Sequence, residues 1–184
     1  MTAACAIFVA EGYHHTSMAA IAERIGVTKP ILYRYFDSKL ELYLAIVDAQ
    51  NNELIQRVTA ALQLPVEHER DRVRAAFNAY FTYIENKSEA FRLIFESDVT
   101  ADEDIRFQVE RASRECAKQI ALTLKTVSPL ADAQAELLGA ALLGMAQVAA
   151  RTRLRDPQGI SSDEAIDLLT QLAWRGLSRL PVLD

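Results

Sequence analysis

The sequence predicts an all-α protein: an N-terminal three-helix helix-turn-helix unit joined to a C-terminal helical bundle, about nine helices in all. Apolar residues recur at three- and four-residue spacing along most of the 184 residues. Asn-Gly hairpin turns and sustained period-two alternation, the marks of strands, are missing. The first three periodic segments are very short and those after Ser38 are long, which sets residues 1–45 apart from residues 46–184. With 51% hydrophobic and 24% charged residues, the composition excludes a disordered or fibrous class.

The opening "MTAACAIFVA" is apolar, but it lacks the basic start of a signal peptide and runs directly into Glu11 and Gly12. The next segment, "SMAAIAERIG", places Met18, Ile21, Ala22 and Ile25 on one face. Ser17 is its expected N-cap, and Gly26 supplies the left-handed residue that closes it. After Val27, Thr28 caps a third segment in which Pro30 is tolerated, because first-turn amides have no intrahelical partner. Two short helices about a tight glycine turn make a helix-turn-helix.

At 100° per residue, Leu32 and Phe36 fall on one side of the third helix, with Ile31 and Tyr35 flanking them. Lys29, Pro30, Tyr33 and Arg34 take the other half. Spacing alone leaves two readings open for that outer half, a solvated face or a face that meets DNA in the major groove. Ser38-Lys39-Leu40-Glu41 has the form of a capping box, so a long helix starts at Lys39. Further breaks fall at Pro65, Ser88, the acidic stretch from Asp98 to Asp104, Ser128-Pro129 and residues 156–159. Ser161 and Glu164 repeat the capping-box spacing ahead of the last helix.

The last two helices are apolar around most of their circumference, whereas a surface helix of a monomer needs one apolar stripe. The economical reading is a four-helix interface between two copies, built from Leu138, Leu142, Leu169, Leu172, Trp174 and Leu177. The alternative is a pair of helices buried within a monomer. Gly139, Ala140 and Gly144 would permit close helix approach. The run 137–146, bracketed by Glu136, Gln147 and Arg151, is too short to span a bilayer, and a buried helix rather than a membrane one is expected.

A formal charge of −5 excludes a chain that coats nucleic acid, but not a small positioned basic surface. Cys5 and Cys116, the two cysteines, are far apart; they suit a reducing cytoplasm and are read as small buried apolar residues. His14 and His15 are adjacent, His68 is remote, and no HExxH, paired-Cys or Gly-rich phosphate loop occurs. No catalytic residues, metal or cofactor are therefore expected.

The stretch "AIFVAEGYHHTSMAAIAERIGVTKPILYRYFDSKLELYLAIV" resembles the DNA-binding region of the TetR family of bacterial transcriptional regulators, through Phe8, Gly12-Tyr13, Thr16-Ser17, Ile21-Ala22, Gly26-Val27, Leu32-Tyr33, Phe36, Ser38-Lys39 and Leu42. The resemblance implies that Ser17 caps its helix near a phosphate. Thr28, Lys29, Pro30, Tyr33 and Arg34 would face the major groove or its rim, and Tyr35 and Lys39 would approach the backbone. Base reading would fall mostly to Lys29 and Arg34, which can donate to guanine O6 and N7.

The resemblance also implies a homodimeric repressor on an inverted-repeat operator, released by a small molecule held among the C-terminal helices. The aromatic concentration there suggests Phe77, Tyr80, Phe81, Phe95, Phe107, Met145 and Gln147 as the lining. Family members carry a fuller first helix, often with a basic arm ahead of it. Residues 1–40 hold Arg24, Lys29, Arg34 and Lys39 against Glu11, Glu23 and Asp37, four cations to three anions or +1. This thin footprint leaves two readings, that Met1 is not the natural start or that the protein binds DNA weakly alone and leans on dimerisation, and the first is the expectation. The alternative function is a helical ligand-binding or protein-interaction module with a weak DNA-binding end.

Overall fold

The computed structural model describes residues 2–87, 103–156 and 158–177. Among them are eight α-helices and no strand: α1 (Thr2–Glu11), α2 (Met18–Arg24), α3 (Lys29–Tyr35), α4 (Lys39–Leu62), α5 (Glu69–Asn86), α6 (Glu103–Val127), α7 (Asp132–Arg155) and α8 (Ser162–Leu177). The all-α class is as expected. The segment around Phe91 and Phe95 lies outside the described residues.

The contacts group the chain into two units. The first comprises residues 1–53 with 87–111, and the second residues 54–86 with 112–184. The core of the first gathers Phe8 from α1, Ile21 and Ala22 from α2, Leu32 from α3, Tyr43, Ile46 and Val47 from α4, and Ile105 from α6. Tyr43 is central: the Phe8 and Tyr13 rings meet it edge-on at 5.3 and 5.1 Å. Within this unit Arg111 binds Asp48 and Asn52 at 2.9 Å each, and Asn51 donates to the Gln108 carbonyl at 2.6 Å, so the start of α6 is tied along one face of α4.

In the second unit α5 packs against both α7 and α8. Glu85 is the polar tie between the three, accepting Arg153 from α7 and the Ser162 hydroxyl at the head of α8. Gly139 explains how closely α6 and α7 approach: a Cβ there would collide with the Ala117 carbonyl oxygen and stand 3.1 Å from the Ala121 nitrogen. The close approach that this glycine permits is thus inside the chain, whereas a Cβ on Gly144 would meet nothing within 4 Å.

The expectation of a buried helix at 137–146 is corrected. The helix there runs for 24 residues and is long and apolar enough, by length and composition, to cross a membrane, yet only 28% of its apolar window is buried within the chain. Counting the clean apolar run alone missed the alanines and Val148 that extend it.

Candidate nucleic-acid interface and ligand cavity

The turn between α2 and α3 is fixed by backbone chemistry that the sequence spells out. Gly26 has φ +75°, its N–H donates to the Glu23 carbonyl at 3.1 Å, and the Val27 N–H donates to Ala22 at 2.9 Å. That pair of bonds is a Schellman motif, and it requires the left-handed residue that glycine supplies without strain. Ser17 accepts the Ala20 N–H at 3.1 Å and so caps α2. Thr28 is the N-cap residue of α3 by backbone conformation, but its side chain makes no capping bond.

Leu32, 5% exposed, anchors α3 in the core. Thr28, Lys29, Pro30, Tyr33, Arg34 and Tyr35 are all exposed. Two of the cations lie near tyrosine rings, Lys29 at 5.6 Å from the Tyr33 centroid and Arg34 at 5.4 Å from Tyr35. Ile31, placed by spacing beside the core face, is 46% exposed. This outer face therefore presents two donors in extended reach, with aromatics beside them.

Lys39, expected to approach the phosphate backbone, makes contacts within the chain. Its Nζ donates to the main-chain carbonyls of Tyr13 (2.7 Å) and Thr16 (2.8 Å) and sits 4.3 Å from the Tyr13 ring. It closes the α1–α2 loop onto the start of α4, and Thr16 Oγ1 reinforces that loop by donating to Gly12 at 2.7 Å. The cap of α4 also differs by one residue. Ser38 accepts the Glu41 N–H at 3.1 Å as expected, but Glu41 reaches back to the Asp37 N–H at 2.6 Å.

Within the second unit a cavity of about 160 Å³ is lined by α4, α5, α6, α7 and α8, including Val58, Leu62, Val73, Phe77, Tyr80, Ile120, Leu143 and Trp174. Two of the expected lining residues, Phe77 and Tyr80, are there. Phe81 is buried beside them in the same helix but off the wall. Met145 is half-buried and off the wall, and Gln147 donates instead to Ser113 at 2.8 Å. Phe107 belongs to the first unit and is 60% exposed, so it is no part of this wall. Phe95 lies outside the described residues.

The two charged wall residues satisfy each other. Arg72 Nε donates to Glu69 at 2.9 Å, and its Nη1 donates to the Leu62 and Leu64 carbonyls. Burial raises the Tyr80 phenol far above its ordinary value, with neighbouring Cys116 adding to the shift. Burial likewise pushes the Cys116 thiol up to about 12. Both groups therefore stay protonated at neutral pH, and the charges on the wall are those of the Glu69–Arg72 pair.

The residues expected at a dimer face are placed differently from one another in the single chain. Leu142 and Trp174 line the cavity, because an all-round apolar helix gives no phase by which sequence can separate inner from outer positions. Leu138 and Leu169 are half-buried, Leu172 is 63% exposed, and the Leu177 side chain lies outside the described residues. The outward row on α7 is Leu137 and Val148, exposed like Leu168 and Leu172 on α8, with Gly144 opening space between them. Sequence reasoning did not single out Leu137, Val148 and Leu168 as exposed apolar residues.

Residues 1–46 match the family described as bacterial regulatory proteins, tetR family. Over 182 residues the chain is 37% identical to the HTH-type transcriptional activator FasR of Mycolicibacterium smegmatis, covering 99% of this chain and 83% of that one. Its fold is similar to that of a TetR-like transcriptional regulator from Rhodococcus sp. RHA1, with a TM-score of 0.76, 26% identity, and coverage of 97% and 93%. It is also similar in fold to AibR, solved in complex with isovaleryl coenzyme A and operator DNA, with a TM-score of 0.71, 18% identity, and coverage of 92% and 93%.

Proposed function

Because the chain belongs to the TetR family and is a transcriptional regulator, we propose that it acts in the cytoplasm as a homodimer that reads an inverted-repeat operator through α3 and lets go when a small molecule enters the cavity of its second unit. In this reading residues 1–45 are the DNA-binding domain and residues 46–184 the effector-binding and dimerisation domain. The observation that carries it is the exposed Lys29, Tyr33 and Arg34 face on a short helix whose opposite side is pinned by Leu32. Such a helix has no stability of its own at seven residues, and its outer half is free for recognition.

Lys29 and Arg34 donate to base edges, and the caps at Ser17 and Thr28 bring free amides toward phosphates. Lys39 serves as the clamp behind them. The outward apolar row on α7 and α8 is covered by a second copy, which also accounts for a long apolar helix left mostly uncovered in one chain. A twofold dimer presents two α3 helices, so half-sites repeat at about 34 Å or a multiple. Repression, the sequence-based expectation, follows where the operator overlaps a promoter. Binding upstream of one gives activation, the role in the printed name of the Mycolicibacterium relative.

The test is selection of binding sites from random duplexes by the purified chain. Recovery of one inverted repeat supports the reading. Recovery of unenriched sequence at low salt contradicts it and favours the alternative of a ligand-binding or interaction module with a weak DNA-binding end.

A further inference from the structure

We infer that the cavity takes a compact, uncharged, mainly apolar molecule bearing one hydrogen-bond acceptor, and that the acceptor is recognised by the Tyr80 hydroxyl. This rests on the reading of the cavity as the effector site. Tyr80 is 2% exposed and lines the wall, yet its hydroxyl has no hydrogen-bond partner among the described residues. A buried phenol normally finds one, since an orphaned hydroxyl forfeits its bonds to water. The neighbouring Gln147 amide faces the phenol oxygen as a donor and also donates to Ser113 at 2.8 Å, so it does not take up the phenol's own O–H. Among the described residues nothing takes this donor, which leaves it for a ligand.

The remaining wall narrows the chemistry. Thr123 donates its hydroxyl to the Gln119 carbonyl at 2.9 Å. Arg72, the cation on the wall, is committed to Glu69 and to the Leu62 and Leu64 carbonyls, and Arg151, whose charge acts on Tyr80, stands off the wall. An anion would therefore enter an apolar space with no counter-charge in contact on the wall, which is costly. About 160 Å³ is close to the volume of an apolar cavity known to hold benzene, so the buried part of the ligand has the bulk of one ring or a short branched chain. A ketone, ester or thioester carbonyl next to such a group meets both demands: apolar surface for Val58, Phe77 and Leu143, and one acceptor for Tyr80.

The experiment measures binding of three probes of similar size, acetophenone, isopropylbenzene and benzoate, to the full chain and to Tyr80→Phe. The expected result is that Tyr80→Phe weakens acetophenone roughly ten-fold while isopropylbenzene binds as before, and that benzoate binds more weakly than acetophenone to the unaltered chain. Thermal melting of Tyr80→Phe checks folding, and its midpoint should be unchanged or higher because an unsatisfied group has been removed. Equal loss for acetophenone and isopropylbenzene, no loss for either, or tighter binding of benzoate would overturn the ligand class while leaving the cavity as a binding site. Failure of every probe to bind either protein would overturn the ligand class together with the reading of the cavity as an effector site.

Discussion

The ammonium group of Lys39 lies 4.3 Å from the Tyr13 ring and donates to the Tyr13 carbonyl at 2.7 Å. One cation thereby holds the α1–α2 loop against the head of α4 and spends its donors inside the protein. Lys39→Ala is expected to cost about 2 kcal/mol, the scale of a hydrogen bond from a charged group, and to lower the melting temperature by about 4–8 °C. The slope of log affinity for DNA against log salt should hardly change, because the ammonium is committed to the Tyr13 and Thr16 carbonyls. A slope reduced by about one with unchanged melting would place Lys39 at the backbone instead.

Lys29 and Arg34 sit on the exposed half of a helix anchored by Leu32. Replacing either with alanine should leave melting unchanged within about 0.5 kcal/mol, as for other surface positions. It should cost about 1–3 kcal/mol of discrimination at the base pair each one reads. Competition binding with single-base operator variants separates this from a uniform loss across all sequences, which would make the residues phosphate contacts.

Gly139 and Gly144 lie five residues apart on one helix and should respond oppositely. A Cβ at Gly139 meets the Ala117 carbonyl, so Gly139→Ala should destabilise by about 1–3 kcal/mol through overpacking. At Gly144 nothing stands within 4 Å, and Gly144→Ala should be neutral or stabilising by up to about 1 kcal/mol through helix propensity. Chemical denaturation of the two variants gives the comparison; equal effects would contradict the assigned faces of α7.

Leu172, 63% exposed on α8, should be covered in the dimer. Leu172→Glu is expected to shift the protein from dimer to monomer in sedimentation while preserving helical content, since the side chain has little to lose in the single chain. A dimer that persists unchanged would remove this face from the interface.

The buried Cys116 thiol, held up to about 12, makes stability depend on alkaline pH. The native state keeps its proton while an unfolded thiol loses it near about 8.5. The unfolded state then binds fewer protons, so stability falls as pH rises from about 8.5 toward 12 and is unaffected by this group below that window. Thiol labelling at pH 8 should therefore follow unfolding rather than the native protein. Rapid labelling of folded chain would contradict the burial.

What could be read from sequence was what neighbouring residues decide. The Schellman turn at Gly26 and the caps at Ser17, Ser38 and Ser161 involve partners within five positions, and each forms. The inward anchor Leu32 followed from helical phase. Lys39 did not, because its partners are 23 and 26 residues away and only the folded loop brings them near. The outer row of α7 was equally hidden: with leucine, alanine and glycine on every side, pattern cannot tell Leu137 from Leu138. The orphaned Tyr80 hydroxyl was illegible for the same reason, since a tyrosine among aromatics reads as core until every neighbouring donor and acceptor has been placed.

The central claim, two α3 helices acting together across a twofold axis, is tested most directly by the equilibrium affinity of the dimer for a selected inverted repeat and for the same repeat with five base pairs inserted at its centre. The insertion turns one half-site to the opposite side of the duplex. The account predicts a loss of at least about 100-fold, on the order of 3 kcal/mol, as one helix loses its groove. Equal affinity for the two duplexes would contradict it.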